Sequence, residues 1–209
     1  MYGLVGRLHQ VALDCVAPSR CAGCAKSGGA LCEACVDAIE ATPVPLVSGV
    51  RAAFVYETEV RRILHHGKFR DCRAALRALA WLGAPRLQPP ADALVTPVPL
   101  AARRAHQRGY NQARVVAKAL AEFHQLQLHD LLERTRDTPA QSTLDRSARR
   151  ENVTRAFAVV AGARAMVAGA TVWLVDDVVT TGSTTAAARD VLVDAGAARV
   201  EIAVLAAVV

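Results

Sequence analysis

Apolar positions along the chain switch between two periods, and the switches mark out its elements. TVWLVD (Thr171 to Asp176) and RVEIAVLAAV (Arg199 to Val208) are nearly continuous apolar runs, the pattern of strands buried on both faces of a parallel sheet. Between them, residues 183–195 read as a helix ended by Gly196, so the tail predicts a strand–helix–strand unit of the right-handed kind. Upstream, VRAAFVYE (Val50 to Glu57) predicts a short strand. Val60, Ile63, Leu64, Leu76, Leu79, Ala80 and Leu82 then recur at helical spacing, with a break expected at Gly67. ALVTPVP (Ala93 to Pro99) predicts a buried strand ending in a Pro-Val-Pro turn, and NQARVVAKALAEFHQL a helix after it. Residues 130–157 carry little apolar periodicity and many arginines, which predicts a long excursion or flexible flap. TPVPLVSG (Thr42 to Gly49) reads as a linker, dividing a small N-terminal segment, residues 1–45, from an α/β body, residues 46–209.

Composition supports a folded chain. Of 209 residues 53% are hydrophobic and 21% charged, which excludes disorder as the default. No stretch holds eighteen uncharged apolar residues and no basic start precedes a long apolar run, so neither a membrane span nor a signal peptide is expected, and the expected compartment is the cytoplasm. Net charge is +6, and residues 101–155 hold eleven Lys/Arg against six Asp/Glu, so the surplus lies mid-chain. Such a surplus suits an anionic partner (phosphate, nucleotide or nucleic acid), or it forms a solvated arginine-rich surface.

Four of the six cysteines lie in CAGCAKSGGALCEAC: Cys21, Cys24, Cys32 and Cys35. Two C-x-x-C turns joined by a short glycine-containing loop supply the four thiolates that tetrahedral zinc prefers, with redox chemistry as the rival reading. Four thiolates fill a structural site and leave no open position, so this Zn2+ has no expected catalytic role. Cys15 and Cys72 have no paired neighbour and read as small core residues.

The loop after the strand at 171–176 carries the clearest ligand chemistry. TTGST leads into a helix N-terminus, where backbone N–H groups lack partners and the dipole is positive, a setting for phosphate. Asp176 and Asp177 would repel that phosphate but suit the hydroxyls of an attached sugar. A purely structural reading also exists, in which Asp-Asp ends the strand and Thr/Ser cap the helix.

LVDDVVTTGSTT resembles the 5-phosphoribosyl-1-pyrophosphate (PRPP) signature of type I phosphoribosyltransferases. The four-cysteine knuckle, ILHHGKF, TPVPLAARRAHQRGYNQA and the arginine-rich stretch ending RENVTRAF stand in the order of the ComF/GntX family, competence-associated phosphoribosyltransferase-like proteins. That resemblance implies the type I phosphoribosyltransferase fold: a parallel twisted sheet flanked by helices, with a flexible flap, preceded by a zinc-binding knuckle. It further implies PRPP or a related ribose 5-phosphate compound bound with Mg2+. Asp176 and Asp177 would meet the ribose hydroxyls, and the loop Val178, Val179, Thr180, Thr181, Gly182, Ser183 and Thr184 the 5′-phosphate. Pro97, Val98, Pro99 and Leu100, with Arg103 and Arg104, would hold pyrophosphate. Arg108, Asn111 and Gln112 would lie near the site, and Asn111 also reads as a plain helix cap. Candidate catalytic groups are Lys68 and the flap residues Arg134, Arg136, Arg146 and Arg149. The family leaves two roles open: phosphoribosyl transfer with release of pyrophosphate, or a non-catalytic PRPP- or nucleotide-sensing or DNA-associated competence factor, with DNA or a competence helicase as partner. It also leaves a monomer or a dimer open.

Overall fold

A computed structural model describes residues 20–27, 29–69, 73–101, 104, 107–135 and 156–209, with residues 67–69 described by their backbone alone. Its centre is a five-stranded sheet built from β1 (Leu46–Val47), β2 (Val50–Val55), β3 (Leu94–Pro97), β6 (Thr171–Val179) and β7 (Arg199–Ala207). Spatial order is β1-β2-β7-β6-β3. Only the short β1 runs antiparallel, against β2; β2, β7, β6 and β3 are parallel. Parallel neighbours need covered faces, which explains why β6 and β7 are apolar at almost every position rather than at alternate ones.

Two cores provide that cover. On one face α1 (Glu33–Glu40), α2 (Thr58–Phe69), α3 (Arg73–Gly83) and α4 (Gln112–His124) enclose Phe54, Ile63, Leu76, Leu79, Leu120 and Trp173. On the other, α6 (Ser183–Asp194), the one-turn α5 (Arg164–Val167) and an antiparallel pair, β4 (Leu132–Arg134) with β5 (Phe157–Val159), enclose Leu132, Phe157, Val172, Leu174, Leu192 and Val204. The architecture is therefore the expected one, a mostly parallel sheet between helical layers.

Several boundaries moved. Helix α2 runs through Gly67 to Phe69 instead of breaking there. A lone glycine costs about 1 kcal/mol in a helix interior, and Ile63 and Leu64, fully buried on the same helix, outweigh it. β6 continues to Val179 instead of ending at Asp176, so Asp177 too lies inside the strand. Pairing with β7 sustains that extension, through Asp176↔Val204, Val178↔Ala206 and Val179↔Ala207. The excursion at 130–157 is anchored at both ends by the β4–β5 pair, and its middle, 136–155, lies outside the described residues.

The strand ends also depart from strict in-out alternation. On β2 the consecutive residues Ala53 and Phe54 both belong to the first core, and so do Leu205 and Ala206 on β7. On β6, Trp173, Val175 and Val178 pack on the first core, whereas Val172, Leu174 and Val179 pack on the second. Alternation therefore slips by one across Asp176–Asp177, level with the same slip on β7, while the strand register stays unchanged.

The cysteine segment packs onto this body. Ala22 and Ile39 share the first core with Phe54 and Val60. Arg86, in a 3-10 turn after α3, donates to Thr42 O (3.0 Å) and Ala53 O (3.3 Å) and stacks over Phe54 with its guanidinium carbon 5.0 Å from the ring centre. No helix among the described residues is long and apolar enough to cross a membrane.

Candidate functional site

The carboxyl ends of β6 and β3 lie side by side and run into the two loops that the sequence singled out. Pro97 pairs with Val175, and the Val98 N–H donates to Val175 O (2.8 Å). The Pro-Val-Pro turn thus begins level with Val175, one residue before Asp176. Each aspartate is oriented by the backbone just after it: the Asp177 N–H donates to Asp176 Oδ1 (2.9 Å) and the Val178 N–H to Asp177 Oδ1 (3.0 Å). Beyond them, Asp176 and residues 178–185 line a small pocket of about 70 Å³.

That pocket is shaped by the entry into α6. Gly182 sits at the helix N-cap with φ +73°, a left-handed conformation that a side chain would strain. The first helical bond runs from the Ala186 N–H to Gly182 O (2.9 Å), so the N–H groups of Ser183, Thr184 and Thr185 precede it and point out of the helix end. Thr181 and Ser183 hydroxyls pair at 3.1 Å, while the buried Thr185 donates its hydroxyl to Gly182 O (3.0 Å) and so fixes the turn. Chemically this is a cluster of neutral donors at a positive helix end, with the Asp176 carboxylate on its rim.

Asn111 joins the second loop to the scaffold. Its Oδ1 accepts from the Ala113 N–H (3.1 Å), capping α4, and its Nδ2 donates to Val98 O (2.9 Å). One side chain therefore caps the helix, as its sequence position suggested, and also holds the Pro-Val-Pro turn. Arg108 donates to the Oε1 of the buried Gln112 (3.1 Å), and Arg104 is exposed. Arg134 ends β4 with its guanidinium 5.2 Å from the Phe157 ring centre. Arg103, Arg136, Arg146 and Arg149 lie outside the described residues, as does the side chain of Lys68 near the end of α2.

The four cysteines also meet. Sγ atoms of Cys21, Cys24, Cys32 and Cys35 all lie within 4.8 Å of one another, close to the span of four thiolates on one tetrahedral ion with Zn–S bonds of about 2.3 Å. Backbone N–H groups of Gly23 (3.4 Å) and Cys32 (3.3 Å) donate to Cys21 Sγ. Burial pushes the Cys21 thiol up, but the backbone N–H groups of Cys32, Cys24 and Gly23 outweigh it and bring its pKa down to about 6. Cys35 is raised, first by burial and then by its hydrogen bonds to the other three thiols and the charge on Cys21. A set of soft donors that resist becoming thiolates together is one a cation would stabilise, so these residues could hold a zinc ion.

Comparison with known proteins agrees with this geometry. A model of the phosphoribosyl transferase domain matches residues 106–208. The DNA utilization protein YhgH of Escherichia coli O157:H7 is 38% identical over 106 residues, covering 50% of this chain and 45% of that one. Competence protein F of Haemophilus influenzae is 36% identical over 91 residues, covering 43% and 39%. The chain belongs to the ComF family. It spans about half or less of the length of these curated relatives. A solved structure of the allosteric regulatory enzyme of purine biosynthesis superposes with a TM-score of 0.45 at 21% identity, covering 64% of this chain and 26% of that one.

As a ComF protein with a phosphoribosyltransferase-like fold, the chain brings together at one sheet end the Pro97–Val98 turn, Asn111 and the stretch from Asp176 to Thr184. Three contributors were missed. Thr185 lines the pocket next to the TTGST loop and continues its hydroxyl run. Thr96, fully buried, accepts from the Leu131 N–H (3.1 Å) and ties the approach to β4 to β3. Gly23, packed against Cys35, had no sequence signal beyond its place inside C-x-x-C.

Proposed function

We propose that this ComF protein binds PRPP, or a closely related ribose 5-phosphate compound, at the carboxyl ends of β6 and β3. The register of Pro97 with Val175 carries this reading, because it aligns an oxygen-accepting acidic pair with a proline turn on one side and a helix-end pocket on the other. Asp176 and Asp177 accept the ribose hydroxyls; Thr180 to Thr184 donate to the 5′-phosphate. The Pro97–Leu100 turn, with Arg103 and Arg104, receives the pyrophosphate. Mg2+ takes oxygen ligands and would be held mainly through the ligand itself near the Asp176 and Asp177 carboxylates, where it would neutralise pyrophosphate charge.

With a nucleophile present, the C1–O bond to pyrophosphate breaks as a bond from the nucleophile to C1 forms, and pyrophosphate leaves with the electron pair. The chain's share of this work is orientation and charge stabilisation: the acidic pair fixes the ribose, and arginines of the 134–150 stretch neutralise the leaving group and exclude water. A second reading is favoured by the names of the relatives, DNA utilization protein and Competence protein F: a DNA-associated factor that senses the same ligand without turnover.

Calorimetric titration with PRPP and magnesium, run beside a pyrophosphate-release assay over a panel of bases, tests both. Asp176→Asn with Asp177→Asn should weaken binding at least about tenfold, the loss of one charge-assisted hydrogen bond. Tight binding without release favours the sensor. Affinity that is undetectable, or indifferent to both substitutions, removes the proposal, and salt-sensitive DNA retention that survives them supports the DNA-associated role alone.

A further inference from the structure

On the helical layer far from that pocket, α3 and α4 leave an aromatic seam exposed. Trp81 (39% exposed) and Phe123 (37%) meet edge to face, with ring centres 5.5 Å apart at 76°. Every other large hydrophobic side chain exposed among the described residues is aliphatic, so this seam gathers both exposed aromatic rings into one contact. Its rim carries both signs of charge. Arg77 lies over Trp81, with its guanidinium carbon 5.7 Å from the ring centre, and pairs with Glu122 at 2.9 Å; Lys118 approaches the other oxygen of the same carboxylate at 4.0 Å.

An exposed Trp beside an Arg is the composition of a binding hot spot. The rim then selects the partner. A polyanion or acidic peptide would have to displace Glu122 from both cations and leave its carboxylate unpaired, whereas a second copy supplies one Glu122 for each that it displaces. A surface with an aromatic centre and a rim of mixed sign fits a partner of the same pattern, and a second copy of this chain has that pattern. We propose that the α3–α4 seam is the two-fold face of a homodimer. An isologous contact places each patch on its own copy, so Trp81 and Phe123 of the two protomers bury one another, and Arg77 of each protomer reaches Glu122 of the other. Both side chains are more than a third exposed, so the exchange of partners across the axis needs no unfolding.

Sedimentation equilibrium of the zinc-loaded full chain tests this. The wild type should dimerise below ~100 µM, within the range of weak specific interfaces. Trp81→Ala should raise the dissociation constant at least about tenfold. Arg77→Glu and Glu122→Arg should each weaken the dimer alone, and an equimolar mixture of the two should restore it, because opposite charges then meet across the axis. Circular dichroism and melting temperature establish that each variant is folded, and restoration in the mixture cannot come from a folding defect. A wild type that stays monomeric over this range overturns the proposal. So does a dimer indifferent to Trp81→Ala, or a mixture no tighter than its components. Binding of a single-stranded oligonucleotide by a monomer, lost in Trp81→Ala, would assign the seam to nucleic acid instead and also overturn it.

Discussion

If the cysteine knuckle holds zinc, replacing Gly23 by alanine should weaken that binding about a hundredfold. A Cβ built at Gly23 would stand 2.8 Å from Cys35 Sγ, 3.3 Å from Cys35 Cβ and 3.6 Å from Cys21 Sγ. Ordinary contacts of this kind lie near 3.5–4.0 Å, so the sulfur must retreat by roughly 0.7–1.2 Å. Zinc–thiolate bonds of about 2.3 Å hold to within about 0.2 Å, and a retreat of that size takes Cys35 out of the coordination shell. A four-thiolate site contributes on the order of 10–16 kcal/mol in all, so losing one ligand of four costs about 3 kcal/mol, or roughly a hundredfold in affinity. Transfer of zinc to a chromogenic chelator, with metal content by mass spectrometry, measures the loss, and Cys35→Ser gives the scale for an absent ligand. Gly23→Ala that keeps stoichiometric zinc with wild-type resistance to the chelator would refute the reasoning, since Cys35 could not then be a ligand packed against residue 23.

Two further outcomes follow from the same kind of contact. Asn111→Ala removes both the α4 cap and the bond to Val98 O, at about 1 kcal/mol each, and should lower the melting temperature by roughly 4–8 °C; Asn111→Ser, which keeps only the cap, should recover about half, and an unchanged melt would count against the double role. Zinc binds thiolates: Cys21, with its pKa at about 6, has no proton left to give near neutral pH, whereas Cys35, raised above the ordinary thiol range, must give one up. Zinc affinity should therefore rise with pH through neutrality by at least about tenfold per unit, with at least about one proton released per ion. Calorimetry in buffers of differing ionisation heat measures that release, and a pH-independent affinity would contradict it.

How much of this could be read from residues alone depended on whether the signal was local. β6, β7 and α6 were visible because continuous apolar runs and a glycine stop lie within each element. The four cysteines were visible because two C-x-x-C turns need only a short loop between them. β4 and β5 were not: each has three residues, and their pairing, Leu132↔Val159 to Arg134↔Phe157, joins segments more than twenty residues apart. Helix α1 was hidden inside the cysteine segment, where its buried face is only Cys35 and Ile39, too few positions to reveal a period. The true end of β6 was equally illegible, because Asp-Asp reads as a stop and only the Ala206 and Ala207 positions of β7 carry the strand past it.

That last misreading bears on the site itself. Had the strand ended at Asp176, Asp177 would belong to a loop and Asp176 to a frayed strand end, free to turn toward the threonines. Inside a paired strand its freedom is small. The slip in alternation across Asp176–Asp177 returns Val179 to the second core, where it is buried and holds the start of the TTGST turn against the sheet. The aspartates are thus fixed upstream of a buried anchor and the hydroxyls downstream of it, so the separation of the carboxylates from the hydroxyl run is imposed by packing. The same strand aligns Val175 with Pro97, which lies 78 positions earlier in the chain. Acidic pair, proline turn and helix-end pocket therefore form one rigid arrangement whose spacing derives from the sheet, and a ligand must span that fixed distance or fail to bind.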